Sequence, residues 1–325
     1  MASTLLTAYS PMNLAEVQKR AGFDDASAVI GELSRRNDFL QDCPWYPASH
    51  GAYHKHLQAT RLGDGAFGKA NAPVTVISSQ AEEMTEPVKL YEGDSPVDER
   101  LLASSTNAMK VRDSEDALNL EGLIQGWINK LLYNNEADAP DGFKSLSRRR
   151  PKLDTYCKGG GGTGADLTSM YLIEYGPAGF YLAYPEGSGT PGIKNEDRGR
   201  VYVAAPTGTG NYWAWVRHYE IWSALVLRDE RALLRYANIE SAGSSNIFTP
   251  ATFITLKNKL PSMGTNAVAY ANRTLKAQIE ADAYNKSNAA YSVSDIEGFG
   301  PITRVSGVPI RVLEGLLDTE TALTA

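Results

Sequence analysis

Imidazoles are the side chains of this sequence that most invite a metal. His50, His54 and His56 fall within one short stretch, and on a strand His54 and His56 point the same way. Three imidazoles could hold zinc. No Cys or carboxylate accompanies them at a familiar ligand spacing, so no metal is expected there. The fourth histidine, His218, sits in an aromatic run and reads as a packed or hydrogen-bonded strand residue. Gly159 and Gly164 fit the outer glycines of a phosphate-binding loop, but Ala165-Asp166 follow where Lys and Ser/Thr are needed. The run Gly159-Gly160-Gly161-Gly162 is therefore read as a flexible linker. No Gly-x-Ser-x-Gly surrounds a serine, and Ser188 lacks the first-glycine spacing. Cys157 stands beside Lys158, which alone is weak activation of a thiol, and Cys43 precedes Pro44. Glu82-Glu83 and Asp113/Glu115/Asp116 read as solvated or capping acids. No catalytic constellation emerges, and neither enzymatic activity nor a cofactor is expected.

Composition narrows the classes further. The 325 residues carry 32 Lys+Arg against 38 Asp+Glu, a formal charge of -6. That is too acidic for a general nucleic-acid binder, which needs surplus cations to displace counterions. Apolar residues at 42% and charged residues at 22% are a globular balance. Two cysteines are too few for a disulfide framework or a four-thiolate zinc site. No run of 18 apolar residues exists, and Met1 to Leu5 lack the pattern of a secretory signal. These features predict a protein of a reducing compartment with no membrane partner. Within it, Arg148-Arg149-Arg150-Pro151-Lys152 suits ion pairing with protein carboxylates as well as nucleic acid.

The elements predicted to carry these residues are mixed. Leu14 and Val17 share a helix face after a cap at Asn13; Val29, Ile30, Leu33 and Leu40 mark a second helix, ended by Pro44 and Pro47. Residues 50–94 read as a long hairpin bent at Gly63-Asp64-Gly65-Ala66-Phe67-Gly68. One arm runs from Tyr53 to Leu62; the other comprises Val74-Thr75-Val76-Ile77 and Val88 to Glu92. An isolated hairpin is marginal in water, so it must lie on its own body or on another chain. A helix of about five turns, roughly 30 Å long, is predicted from a cap at Asp113 through Leu120, Ile124, Trp127, Leu131 and Leu132, stopping at Asn134-Asn135. Strands follow at Tyr171 to Tyr175, Phe180 to Tyr184 and Val201 to Val203, and a long aromatic run extends from Tyr212 to Leu227; short turns suggest antiparallel pairing. A last helix is predicted over 268–286, through Leu275, Ile279 and Ala283. Two strands, Ile302 to Val305 and Val308 to Val312, meet at Ser306-Gly307. The fold class is α+β.

The order of several stretches carries a resemblance. These are Asn37-Asp38-Phe39-Leu40-Gln41-Asp42-Cys43-Pro44-Trp45; the hairpin leading to Glu92-Gly93-Asp94-Ser95-Pro96-Val97-Asp98; and the long helix with Tyr133-Asn134-Asn135, then Phe143-Lys144-Ser145-Leu146-Ser147-Arg148-Arg149. Tyr171-Leu172-Ile173-Glu174 and Tyr184-Pro185-Glu186-Gly187-Ser188 come next, followed by Trp222-Ser223-Ala224-Leu225-Val226-Leu227-Arg228-Asp229-Glu230-Arg231 running into Arg235-Tyr236-Ala237-Asn238-Ile239. The ending Gly307-Val308-Pro309-Ile310-Arg311 and Leu316-Leu317-Asp318-Thr319-Glu320 also fits. Along nearly its whole length the chain resembles the major capsid proteins of tailed double-stranded DNA bacteriophages, in particular the epsilon15-like family with the HK97 fold.

The resemblance implies an N-terminal arm over 1–49, an extended E-loop hairpin over 50–94, and a P-domain with a spine helix over 95–165. It further implies an A-domain sheet over 166–300 and a C-terminal return to the P-domain over 301–325. It implies self-assembly through hexamers and pentamers into an icosahedral virion capsid enclosing DNA without sequence-specific binding, with assembly in the host cytoplasm. The likeness starts near residue 4, which leaves no long extension to act as a built-in scaffold. A separate scaffolding protein and a portal are expected, with a decoration protein as a further partner. Subunit-interface residues are expected at the hairpin tip (Gly63, Gly65, Phe67). Charged groups would join them: Arg148, Arg149, Arg150 and Lys152 meeting Glu82, Glu83, Asp94 or Asp98 of adjacent chains. Two alternatives stand beside this reading. One is a cellular encapsulin-type nanocompartment shell. The other is a carbohydrate-binding module or enzyme stacking sugars on Tyr212-Trp213-Ala214-Trp215, although alternating strand residues explain that run as well.

Overall fold

The strand Leu167–Glu174 is buried along its whole length, as apolar side chains on both faces demand. Leu233–Glu240 flanks one edge and Ala267–Ala271 the other, both antiparallel to it. Beyond them, Cys157–Gly159 lies parallel to Leu233–Glu240, and Val308–Val312 parallel to Ala267–Ala271. Gly300–Val305 and Tyr291–Ile296 complete a seven-stranded mixed sheet. The helices Pro250–Lys257 and Arg273–Tyr284 bring Phe253, Leu256, Leu275 and Ile279 into one core with Met170, Leu172, Leu234, Tyr236 and Ile310. Each such side chain contributes about 1.5–3 kcal/mol on burial. The computed structural model describes residues 37–324 except 72, 106, 189–190, 206–209, 285–290 and 297–299. The helices predicted around Leu14, Val17, Val29, Ile30 and Leu33 lie outside the described residues, as does Lys286.

The described chain divides into two compact units that do not follow chain order. The smaller joins Leu90–Ile128 to Ile193–Trp222, and the other holds the remaining described residues. In the smaller unit, Ile193–Ala204 pairs antiparallel with the first part of the long strand Asn211–Leu227, from Ile193 opposite Ile221 to Ala204 opposite Asn211. Val97, Leu102 and Val111 form its apolar cluster, with Leu101 and Trp215 packed against it. Arg112 lies over the Trp215 ring and reaches Asp197 at 2.8 Å, while Arg217 reaches Asp116 at 3.2 Å. In the larger unit, Phe180–Tyr184 pairs with the end of that long strand and runs parallel to Trp45–Pro47.

Several expectations are corrected. The long helix spans Ala108–Tyr133, 26 residues or about 39 Å. It is capped by Asn107, whose side-chain oxygen accepts from the Lys110 amide. Asp113 therefore lies inside the helix and turns to Arg217. Residues 268–271, expected in the last helix, extend a strand instead; Asn272 caps the helix by accepting from the Leu275 amide at 2.8 Å. The strands on either side of Gly176-Pro177 do not form one antiparallel pair, because Leu167–Glu174 and Phe180–Tyr184 enter different sheets. The two-residue turn at Ser306-Gly307 is as expected: φ is 50° and 85°, both in the left-handed region that such hairpins require.

The glycine run is no flexible linker. Gly159 ends a strand, and the Gly160 and Gly162 amides donate to the carbonyls of Ala237 and Asn238. A Cβ on Gly160 would stand 2.8 Å from the Asn238 carbonyl oxygen. Gly160→Ala is expected to lower stability by about 1–3 kcal/mol, the usual scale of overpacking, measured by urea unfolding.

Candidate functional site

The hairpin consists of Tyr53–Arg61 and Gln80–Pro87, paired from Tyr53 opposite Pro87 to Arg61 opposite Gln80. Residues 62–79 between them include no strand among those described. Val74-Thr75-Val76-Ile77, expected as part of an arm, has no ladder partner there, and Val88 to Glu92 lead into the strand Lys89–Asp98. Gly63 and Gly65 lie in this loop; a Cβ on Gly63 would meet the Ile77 side chain, which would have to shift. Phe67 is fully exposed, and Leu57, Leu62, Val74, Val76, Ile77 and Met84 are exposed as well. Seven of the eleven exposed large apolar residues among those described thus belong to one hairpin. Glu82 and Glu83 are exposed on its second strand, where Glu83 pairs with Lys55.

The basic run divides. Arg148 and Lys152 face solvent. Arg149 and Arg150, expected against an adjacent chain, are engaged within their own. Both prongs of Arg149 hold Glu86, at 2.8 and 2.9 Å, and Nη2 also donates to the Leu225 carbonyl. Arg150 donates to the Leu233 carbonyl at 2.8 Å and to Glu230 at 2.7 Å, with its plane over Tyr156. The guanidinium fork suits carboxylates and backbone carbonyls alike. Asp94 and Asp98 also have internal duties. Asp94 accepts from His218 Nδ1 at 2.7 Å and faces Arg198, and Asp98 caps the helix Glu99–Ala103. His218 is buried and hydrogen-bonded, as its aromatic strand suggests. Of the aromatic run, Trp213 is exposed beneath Arg200 and beside Tyr202, whereas Ala214 is buried, the alternation of a strand.

A second polar cluster escaped sequence reasoning. Arg235 is buried and donates to Glu320 at 2.9 Å, to Ser169 at 3.1 Å and to the Arg150 carbonyl at 3.0 Å. Tyr133 donates to the other Glu320 oxygen at 2.6 Å. Burial works against the Arg235 charge, but the neighbouring Tyr171 and Glu320 hold its pKa above the ordinary value. Asn238 bonds Leu323 through both its amide nitrogen and its oxygen, and the Leu153 amide donates to the Thr324 carbonyl. The final residues are thereby strapped to the sheet. Both cysteines are buried: burial pushes the Cys157 thiol up to about 11 and the Cys43 thiol well above its usual range. Among the described residues, no group of three His, Cys, Asp or Glu is placed to hold a metal, and no helix is long and apolar enough to cross a membrane.

The fold is that of phage capsid proteins. A chain in the structure of bacteriophage epsilon15 superposes with a TM-score of 0.69 at 22% identity, covering 100% of both chains. The bacteriophage JBD30 capsid matches with a TM-score of 0.47 at 9% identity, over 89% of this chain and 94% of that one. The holo-SrpI encapsulin complex of Synechococcus elongatus PCC 7942 gives 0.43 at 9% identity, over 74% and 99%. No curated protein sequence matches the chain. Residues 23–324 match the family described as Major capsid protein GP7. The chain belongs to that family: it is a structural protein that forms the shell of a phage capsid.

Proposed function

We propose that the chain assembles through hexamers and pentamers into an icosahedral shell around double-stranded DNA, with its hairpin lying across the neighbouring subunit of the same capsomer. The observation carrying this reading is the concentration of exposed Leu62, Phe67, Val74, Val76 and Ile77 on a loop that has no strand partner among the described residues. Apolar patches of this kind mark protein contacts. Glu82, Arg148 and Lys152, exposed and charged, would serve at the rim of such contacts, where pairs are weak singly and useful only in number. In this reading 1–49 form the arm, 50–94 the E-loop, 95–165 the P-domain, 166–300 the A-domain and 301–325 the return to the P-domain. Weak repeated contacts permit correction during growth, and closure then confers kinetic stability. The acidic balance favours enclosing DNA without gripping it. A separate scaffolding protein, a portal and a decoration protein would be the assembly partners, and host cytoplasm the place of assembly. Negative-stain microscopy of the expressed protein is expected to show closed shells or capsomers. A monomer under every salt, pH and concentration tried would overturn the reading.

A further inference from the structure

The hairpin is fastened at its base by two different kinds of contact. On the strand Gln80–Pro87 the fastening is an ion pair, the two-pronged grip of Arg149 on Glu86. On the strand Tyr53–Arg61 it is a pair of histidines. His54 Nδ1 accepts the Ser49 amide proton at 3.2 Å. A ring that accepts at Nδ1 carries its own proton on Nε2, and that nitrogen lies 2.9 Å from the Tyr181 hydroxyl. The geometry therefore selects the neutral ring. His56 is 7% exposed, its ring stacks 6.1 Å from that of His54, and neither of its nitrogens has a hydrogen-bond partner.

The surroundings disfavour charge on either ring. The preceding loop contributes His50, the partner strand Glu86, the four-residue helix Leu146–Arg149 its Arg149, the strand Phe180–Tyr184 the neutral Tyr181, and the turn after the long strand Arg228. The Leu227 carbonyl faces His56 without closing a hydrogen bond. Glu86 is the carboxylate in this set, and Arg149 already holds both its oxygens. Burial, and after it the neighbouring His56 and Arg228, keep His54 below its ordinary value of 6.5. Burial likewise keeps His56 below 6.5, against the pull of Glu86.

We propose that His54 and His56 form a proton-operated latch that fastens the hairpin base when neutral and releases it when protonated. A proton on His54 Nδ1 opposes the Ser49 amide, donor against donor. A proton on His56 places a buried charge near two arginines. The fastened state binds fewer protons than the released one below the ordinary imidazole value. It is therefore favoured at pH above about 6.5 and weakens as pH falls below it.

Hydrogen exchange of the full chain, corrected for intrinsic pH effects, tests this on peptides spanning 48–61 and 80–88. Between pH 7.5 and 5.5 their exchange should accelerate at least about tenfold, while the central strand Leu167–Glu174 keeps its protection. In the double variant His54→Asn/His56→Phe, which retains a side-chain acceptor and the packing, the acceleration should vanish. Unchanged wild-type protection across this range overturns the proposal, as does an acceleration that persists in the double variant. Should the double variant lose protection throughout the central strand, His54→Asn alone decides. A reduced response over 48–57 supports the latch, and an undiminished one refutes it. The measurement reads the hairpin on its own chain, so it stands or falls separately from the capsomer contact proposed above.

Discussion

A chain lacking residues 63–68 folds but builds no shells. The deletion removes the exposed Phe67 and the crossing of Gly63 past Ile77, and leaves the buried cores of both units untouched. The loop that remains is still long enough to join Arg61 to Gln80, and shortening a loop changes its closure entropy only slightly. Thermal unfolding of the free chain is therefore expected to stay within about 0.5 kcal/mol of the parent, as for surface changes generally. Particle yield should fall at least about tenfold by sedimentation and negative stain, because a small loss per contact multiplies over every subunit of a shell. Normal particles from the deletion would remove the hairpin from the assembly mechanism.

Replacing Arg235 with methionine is expected to be the most damaging single change to the fold. It leaves the Glu320 carboxylate buried without its cation; breaking a buried pair by removing one partner costs about 3–5 kcal/mol. For a chain of this size that lowers the melting temperature by roughly 4–8 °C. The double variant Arg235→Met/Glu320→Met should recover a large part of the loss, because an apolar pair of similar volume avoids desolvating either charge. Denaturant titration of the single and double variants measures the coupling. A single-variant loss below about 1 kcal/mol would show that Tyr133 and Ser169 satisfy Glu320 without Arg235.

Local patterns were legible where physics is local. The turn at Ser306-Gly307 follows from its two left-handed residues, and the stop of the long helix from Asn134, whose side chain donates to the Phe143 carbonyl. The strand Phe180–Tyr184 matches its apolar run residue for residue. Where a residue's role depends on distant chain, the sequence is silent. Gly160 reads as flexible until the Asn238 carbonyl is known to lie against it. Val268 to Ala271 continue a helical period but have a strand waiting on each side, Leu167–Glu174 and Val308–Val312, so pairing overrides the period. The residues proposed for the subunit contact divide by the same logic. Exposure of Gly63, Gly65 and Phe67 could be read from a Gly-rich bend with little apolar support. The engagement of Arg149 by Glu86, 63 residues away, and of Arg235 by Glu320, 85 residues away, could not, since charge carries no address along the chain.

The two buried thiols have a practical corollary. Alkylating reagents act on the thiolate, and Cys43 and Cys157 are kept protonated and out of reach at neutral pH. The native protein is thus a silent background for maleimide chemistry. A single cysteine grafted at the position of Phe67 would take a fluorophore selectively, and the label would report in real time whether that spot passes from water into a contact as particles grow.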